Sequence, residues 1–367
     1  MTDNFLSTTP KHLVQLLKAT AGVAPVMIWG APGIGKTAII QDNVGEIFAA
    51  AAADRDIAVP EDASVELFER RVNDYDLLDF GGLPYNDNGV QHRAVPDIWP
   101  GVGSTKKVYG VMLFDEFPQA PREKQTNLQR LFDEGLLGDY VLPGHPKSDP
   151  NGERGLVVIV LAGNRQADRA NSHGMGSQTG TRLIHITFEP DFNDWLDWAN
   201  SNDVEPTVVS FIRQQPEYLH KLDPKMTTGA TPRGWATLSK IVKKALPSDI
   251  EMTAYAGVVG EEAARAYLAL VHAARSINVE EALVDPDNAD IPQEVGHQFA
   301  TASLLIRRAT TENFDNIVRY VERVGAGEFC TPEIAVFVVE AIKRRVPVLA
   351  ETVTYRDFSL RWADIRS

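Results

Sequence analysis

The spacing of apolar residues in the first half of the chain predicts strands that alternate with helices. Apolar or alternating runs predict strands at residues 25–29, 65–72, 108–114, 156–162 and 183–188. Apolar residues at helical spacing predict helices that begin near Pro10, Thr37 and Arg122, the last two running to about Asp54 and Glu134. Such alternation is typical of a parallel sheet that helices cover on both faces.

The second half of the chain shows no strand pattern from Asp191 onward. Helices are predicted at residues 191–200, 204–214, 232–245, 261–276, 293–309, 311–324 and 332–345, with proline and glycine between them. We therefore expect an α/β core over residues 1–190, a helical lid over residues 191–248 and a further helical region over residues 249–367.

An insertion rich in proline and glycine separates the second and third predicted strands, at residues 73–107. Within it, Asp87-Asn88-Gly89 is a strong turn signal, and Leu83, Tyr85 and Val90 flank it. This combination predicts a β-hairpin inside the insertion.

The composition is that of an ordinary globular chain. Its 367 residues are 44% hydrophobic and 23% charged, which is enough for two or three domains with cores. The longest apolar run, residues 156–162, is far shorter than the roughly 18 residues of a spanning helix, so no membrane span is expected. The single cysteine, Cys330, excludes an intramolecular disulfide, and the N-terminus shows no secretory leader, so a cytoplasmic location is expected.

The net charge changes the expectation about partners. A formal net charge of -14 repels nucleic-acid backbones at long range, although a local basic patch is compatible with it. Broad non-specific binding to nucleic acid is therefore disfavoured, and protein partners are favoured.

A glycine-rich motif follows the first predicted strand. Residues 30–37 fill the phosphate-loop pattern G-x-x-x-x-G-K-[ST] without a substitution. Its glycines allow backbone N–H groups to converge on phosphate oxygens. We predict that Lys36 reaches the β- and γ-phosphates of a nucleotide and that the Thr37 hydroxyl binds Mg²⁺. The predicted nucleotide-binding residues are Gly30, Ala31, Pro32, Gly33, Ile34, Gly35, Lys36, Thr37 and Ala38.

Polar residues follow the third and fourth predicted strands. Asp115 and Glu116 come directly after an apolar strand, where one carboxylate can hold Mg²⁺ and the other can polarise the attacking water. We assign Asp115 to the metal and Glu116 to the general base, since successive side chains at a strand end diverge. Asn164 follows the next strand, and its amide can bond both that water and the γ-phosphate. A simple turn-forming role is the alternative for Asn164.

Several arginines are candidates for an extra cation at the γ-phosphate, which commonly comes from a neighbouring subunit. Arg182, just before the fifth predicted strand, is our choice, with Arg165 and Arg169 as alternatives. A surface ion pair is the other interpretation of Arg182. Arg233 lies in the first turn of a predicted helix, where a cation opposes the helix dipole, so its position indicates an anionic partner.

With these motifs the chain resembles the AAA+ ATPases, and within them the MoxR-like branch that includes activators of the CbbQ and NorQ type. The resemblance covers about residues 10–245. It rests on Walker A at residues 30–37, Walker B at residues 111–116, the sensor-1 asparagine Asn164, the arginine-finger candidate Arg182 and the sensor-2 arginine Arg233.

Two local phrases sharpen the resemblance to this branch. Residues 76–84, DLLDFGGLP, with RAVP at residues 93–96, look like the passage that carries the branch's insertion in helix 2. Residues 115–121, DEFPQAP, look like its continuation of Walker B. One departure is that Gly180-Thr181-Arg182-Leu183 stands where relatives usually have Asn or Asp, then Arg and Phe.

The resemblance implies a P-loop NTPase core with a parallel sheet, an insertion hairpin in helix 2, a helical lid and an additional C-terminal helical region. It also implies a homo-oligomeric ring, usually a hexamer, with ATP between subunits and the arginine finger supplied in trans. Relatives act as chaperone-like remodellers, often with a partner that carries a von Willebrand factor A domain.

The predicted function is therefore Mg²⁺-dependent ATP hydrolysis by a ring that remodels or activates a protein partner. The predicted catalytic residues are Glu116, Lys36, Asn164, Arg182 and Arg233, and the predicted metal ligands are Thr37 and Asp115. Two alternatives stay open. One is a nucleic-acid motor or loader, and the other is a nucleotide-binding scaffold that does not hydrolyse ATP.

Overall fold

The computed structural model describes residues 6–165, 175–222, 228–327 and 332–366. The chain divides into two compact units, Met1–Asp191 and Phe192–Ser367. Two residues singled out from the sequence, Arg169 and Cys330, lie outside the described residues.

Strands and helices alternate through the first unit. Its described strands are β1 (Ser7–Thr8), β2 (Val26–Trp29), β3 (Val65–Arg71), β4 (Pro84–Asp87), β5 (Val90–Arg93), β6 (Val108–Asp115), β7 (Leu136–Leu137), β8 (Tyr140–Val141), β9 (Gly155–Gly163) and β10 (Ile184–Phe188). Its described helices are α1 (Pro10–Thr20), α2 (Lys36–Asp42), α3 (Val44–Asp54), α4 (Leu77–Gly81), α5 (Arg122–Asn127), α6 (Gln129–Glu134) and α7 (Ser177–Gly180).

Six of these strands form one parallel sheet in the order β1-β10-β2-β9-β6-β3. Because all six run in the same direction, the chain leaves β2, β6 and β9 at the same edge of the sheet, just after Trp29, Asp115 and Gly163. The predicted α/β fold with a parallel sheet is confirmed. β1 was not predicted, because two residues are too few to show a hydrophobic period.

Apolar clusters lie on both faces of this sheet, as predicted. Side chains alternate along a strand, so Val26 and Ile28 of β2 belong to one cluster and Met27 to the other. The first cluster includes Leu17 of α1, and the second includes Phe132 of α6. The two-sided cover buries every residue of β9.

The helix after the P-loop is not continuous, and the prediction of one helix to Asp54 is wrong at Asn43. The Asn43 side-chain amide donates to the Ile39 carbonyl at 2.8 Å, and the Asn43 backbone N–H bonds Ile40 instead. The side chain thus takes the acceptor that an unbroken helix would offer to this N–H, which ends α2. The helix predicted from Arg122 to Glu134 is also divided in two, at Leu128 between α5 and α6.

The insertion contains the predicted hairpin. β4 and β5 pair antiparallel, and Asn88 and Gly89 form the connection with φ of 50° and 81°. Two successive positive φ values are typical of a type I′ turn, whose twist matches that of the flanking strands. The turn signal in the sequence therefore located the hairpin correctly.

Most of the described residues of the second unit are helical. Its described helices are α8 (Phe192–Ser201), α9 (Pro206–Gln214), α10 (Pro232–Val242), α11 (Ser248–Val259), α12 (Glu261–Ser276), α13 (Glu280–Val284), α14 (Val295–Arg308), α15 (Phe314–Gly325), α16 (Pro332–Arg345), α17 (Val353–Arg361) and α18 (Ala363–Arg366). One apolar cluster extends from Trp195 to Phe358. The division into a lid and a C-terminal region near residue 248 stays a prediction. Within the described residues, none of the helices combines the length and apolar character that crossing a membrane requires.

Candidate nucleotide-binding site

The P-loop connects β2 to α2 at the carboxyl edge of the sheet, and glycine is required at two of its positions. Gly35 has φ of 99°, which L side chains rarely adopt. A Cβ at Gly30 would lie 2.6 Å from the Ile34 Cδ1 atom and 2.8 Å from the Phe188 carbonyl oxygen. The Gly30 N–H donates to the Gly163 carbonyl at 3.2 Å, so the start of the loop is fastened to the end of β9. The first unit has a P-loop α/β fold.

Lys36 brings the P-loop and the end of β9 together. Its ammonium donates to the carbonyl oxygens of Gly30 and Ala31, both at 2.8 Å, and to Asn164 Oδ1 at 2.9 Å. The lysine is 8% exposed, and Asn164 is half-buried. Two predicted site residues thus meet although 128 positions separate them in the chain. The ammonium stands where it can exchange one of these acceptors for a phosphate oxygen.

Thr37 and Asp115 also meet. The Thr37 hydroxyl donates to Asp115 Oδ2 at 3.1 Å, and Asp115 Oδ1 accepts the backbone N–H of Glu116 at 2.9 Å. A hydroxyl and a carboxylate are oxygen donors of the kind that Mg²⁺ takes, so the pair fits this ion. In the part of the chain that the structure describes, His, Cys, Asp and Glu form no group of three or more that could hold a metal. Thr37 and Asp115 would thus supply two oxygen ligands to a bound Mg²⁺.

The backbone of Glu116 has a left-handed conformation. It has φ of 56° and ψ of 27°, in the left-handed region that a residue with a Cβ rarely adopts. A short 3₁₀ turn, Phe117–Gln119, follows it, and Pro118 of this turn packs against Gly163, where a Cβ would lie 2.1 Å from Pro118 Cδ. This left-handed turn at the end of β6 leaves the Glu116 carboxylate exposed beside Asp115, while Asp115 is directed to Thr37.

Arg182 lies at the opposite edge of the sheet from the P-loop. Ile184 at the start of β10 pairs with Val26, which is four residues, or about 13 Å, before Gly30 along the strand. Arg182 precedes that point, and its guanidinium forms an ion pair with Asp133 and bonds the Gln178 carbonyl. An arginine side chain does not span this distance, so Arg182 does not meet Lys36 within one chain.

The other predicted arginines have separate positions. Arg165 forms an ion pair with Glu189 at 2.9 Å. Arg233 belongs to the second unit, where it is exposed in the first turn of α10, and the Thr231 hydroxyl caps this helix by accepting the Gly234 N–H at 3.0 Å. The predicted role of Arg233 at the nucleotide stays a prediction.

The sequence did not point to several residues that shape the site. Gly163 is one of them, because the crowding that requires glycine there depends on Pro118, which is distant in the chain. Asp133, the partner of Arg182, and His185, which bonds Trp29 next to the P-loop at 2.9 Å, carried no sequence signal.

No family model matches the chain, and no curated protein matches it. Among solved structures, the chain is similar to NtrX from Brucella abortus in complex with ATP, with 14% identity, a TM-score of 0.36, and coverage of 93% of this chain and 69% of that chain. It is similar to a Cytophaga hutchinsonii protein provisionally named an ATPase, with 12% identity, a TM-score of 0.29, and coverage of 91% and 79%.

A third similar structure is a full-length MCM homologue from Methanopyrus kandleri, with 12% identity and a TM-score of 0.27. It is matched over 71% of this chain and 54% of that chain. At such identities and scores, these likenesses carry no argument about activity or partners. The fold follows from the strand order and the P-loop geometry of the chain itself.

Proposed function

We propose that the chain is a Mg²⁺-dependent ATPase of the AAA+ class. The observation that carries this proposal is the meeting of four predicted residues at one edge of the sheet: Lys36 bonds Asn164, and Thr37 bonds Asp115. These residues come from three separate segments of the sequence. A P-loop, a strand-end acid and a strand-end amide that converge in this way make up a site for phosphoryl transfer.

Each residue has a defined part in the proposed reaction. Lys36 binds the β- and γ-phosphates as a cation, and Asn164 orients the attacking water beside the γ-phosphate. Glu116 accepts a proton from that water as it attacks. Thr37 and Asp115 would hold Mg²⁺, which would supply charge neutralisation on the phosphate oxygens.

We further propose that the protein works as a ring, with Arg182 completing the site of a neighbouring subunit. The support is topological: Arg182 stands at the amino edge of the sheet, too far from its own P-loop to contact the same nucleotide. The side chains of Arg182 and Asp133, which form an ion pair, are each about one-third exposed. Breaking this pair so that Arg182 can bind a phosphate therefore costs about 1 kcal/mol or less.

The partner side of the proposal rests on the resemblance to MoxR-like ATPases. In this proposal ATP hydrolysis drives remodelling or activation of a protein client, such as one with a von Willebrand factor A domain. The insertion hairpin is the candidate contact, since Leu83, Tyr85 and Val90 on it are 63%, 50% and 57% exposed. Exposed apolar side chains that stand close together indicate a surface for another protein.

The test is steady-state phosphate release by the wild type and by the Glu116→Gln variant. We expect Mg²⁺-dependent turnover by the wild type, and a variant that retains ATP but has lost at least about a hundredfold in turnover. Glu123→Gln, an exposed acid in the first turn of α5, is the matched control and should leave the rate unchanged. Nearly normal turnover by Glu116→Gln would exclude Glu116 as the base.

The same assay separates the alternatives. Stimulation of turnover by added single- or double-stranded DNA would favour a nucleic-acid motor or loader. Retention of ATP by the wild type without any phosphate release would favour a scaffold.

A further inference from the structure

A histidine joins two segments of the first unit that the proposed function uses. The Trp29 indole N–H donates to His185 Nδ1 at 2.9 Å, and His185 Nε2 lies 2.8 Å from the Gly180 carbonyl oxygen. The two rings are stacked, with centroids 6.0 Å apart and 16° between their planes. All three residues are half-buried. We name these contacts the His185 bridge.

The hydrogen-bond partners of His185, Trp29 and Gly180, determine which of its ring nitrogens carries the proton. An indole N–H can only donate and a carbonyl oxygen can only accept, so Nδ1 accepts and Nε2 carries the proton. A neutral imidazole offers an acceptor and a donor on two edges of one rigid ring. His185→Phe keeps an aromatic ring but loses both hydrogen bonds. Trp29→Phe loses only the hydrogen bond between Trp29 and His185.

One end of the His185 bridge belongs to the chain's own P-loop. Trp29 is the last residue of β2 and directly precedes Gly30. The Gly30 carbonyl accepts from Lys36, and the Gly30 N–H donates to Gly163. A displacement of Trp29 is therefore passed to the loop that binds phosphate.

The other end belongs to the segment that carries Arg182. Gly180 ends α7, two residues before Arg182. From the other side, α6 holds this segment, since Gln129 Nε2 donates to the Thr179 hydroxyl at 2.7 Å and Asp133 pairs with Arg182. The His185 bridge is thus a side-chain link from β2 to the segment that carries Arg182, in addition to the pairing of β2 with β10. α6 holds the same segment from the other side.

We propose that His185 is a positioning residue that couples the P-loop of one subunit to the Arg182 segment that this subunit presents to its neighbour. The proposal rests on the proposed function, in which Arg182 acts in trans. Through the His185 bridge, the position of Trp29 influences the position of Gly180. Gly180 in turn fixes the backbone that leads to Arg182. His185 itself touches neither nucleotide nor metal in this scheme.

Mixed rings test the proposal. Acceptor subunits carry Arg182→Ala and hydrolyse ATP only with a neighbour's finger, and donor subunits carry Glu116→Gln and supply the finger without hydrolysis. His185→Phe is placed in the donor or in the acceptor, and ATP turnover is measured over a range of ATP concentrations. In the donor it should lower kcat about tenfold, the worth of a lost hydrogen bond or two, with KM within about twofold. In the acceptor the fall in kcat should be smaller.

Two further variants guard against a trivial effect. Trp29→Phe in the donor should lower kcat in the same direction, and it replaces His185→Phe if that variant does not fold. His297→Gln is the matched control, a half-buried histidine of the second unit whose Nδ1 lies 3.0 Å from Glu294 Oε2, and it should change nothing when placed in the donor. Equal falls from donor and acceptor placements, or no fall from the donor, would overturn the coupling.

Failure of the proposed function has a different signature. If mixtures with intact His185 release no more phosphate than Arg182→Ala subunits alone, Arg182 is not a finger in trans. That result overturns the proposed role of Arg182 in a neighbouring site, and the coupling with it, before any His185 variant is made.

Discussion

Removal of the Asn164 amide should strengthen ADP binding while it slows hydrolysis. An ammonium has three N–H donors, and Lys36 has three acceptors within 2.9 Å: Gly30 O, Ala31 O and Asn164 Oδ1. A phosphate oxygen that bonds Lys36 competes with these acceptors for the ammonium. Asn164→Ala removes one of the competing acceptors, so less is given up when phosphate binds. ADP is the right probe, because it lacks the γ-phosphate beside which Asn164 is proposed to orient the attacking water.

The size of the effect follows from the bond that is lost. A hydrogen bond to a charged group contributes about 1.5–3 kcal/mol net when it is buried. Asn164 is only half-buried, so about 1 kcal/mol is a reasonable value, which corresponds to a dissociation constant for ADP about fivefold lower. The rate of ATP hydrolysis should fall about a hundredfold, since a donor that stabilises charge in the transition state is gone.

The assay is isothermal titration of each protein with ADP and Mg²⁺. Asn164→Asp is the matched control with the opposite sign, since a carboxylate holds Lys36 more firmly and repels phosphate. ADP should therefore bind more tightly to Asn164→Ala than to the wild type, and more weakly to Asn164→Asp. Weaker binding by both variants would refute the idea that Lys36 is held back by Asn164.

Three other changes have defined outcomes. Glu116→Gly should raise the free energy of unfolding by about 1 kcal/mol, because it relieves a φ of 56°, and a lower value in denaturant melts would contradict this. Hydrogen bonds from Arg275 hold the pKa of Glu251 below its ordinary value of 4.5. The contribution of Glu251 to stability is therefore complete above pH 4.5, and it is lost as the pH falls through the lower folded-state pKa. The free energy of unfolding, taken from denaturant melts at about pH 6 and about pH 3, should fall less at the lower pH in Glu251→Gln than in the wild type. An equal fall in both proteins would count against this contribution of Glu251. Gly82→Ala should lower the melting temperature by roughly 10 °C or more. The reason is that φ at Gly82 is 75° and a Cβ would lie 1.7 Å from the Ala94 carbonyl oxygen. An unchanged melting curve would exclude this strain.

The parts of the fold that the sequence predicted are those that depend on local signals. The P-loop is one continuous motif between a strand and a helix, and the turn at Asn88 and Gly89 needs only its own backbone conformation. The meeting of Lys36 with Asn164 was also accessible, because parallel strands bring their carboxyl ends to one edge.

Features that depend on contacts between distant segments could not be predicted. The Trp29–His185 bond joins residues 156 positions apart, and the pair Asp133–Arg182 joins residues 49 positions apart. Neither pair follows a spacing that a motif records. α11 was missed for a related reason, since only Glu251, Tyr255 and Val259 of this helix are buried and its other apolar residues do not form a clear stripe.

The central claim is that the P-loop and the residues around it bind ATP with Mg²⁺, and titration of the wild type and of Lys36→Ala with ATP tests it most directly. The wild type should bind about one ATP per chain in a Mg²⁺-dependent manner, and Lys36→Ala should bind at least about a hundredfold more weakly. No binding by the wild type, or equal binding by both proteins, would contradict the account.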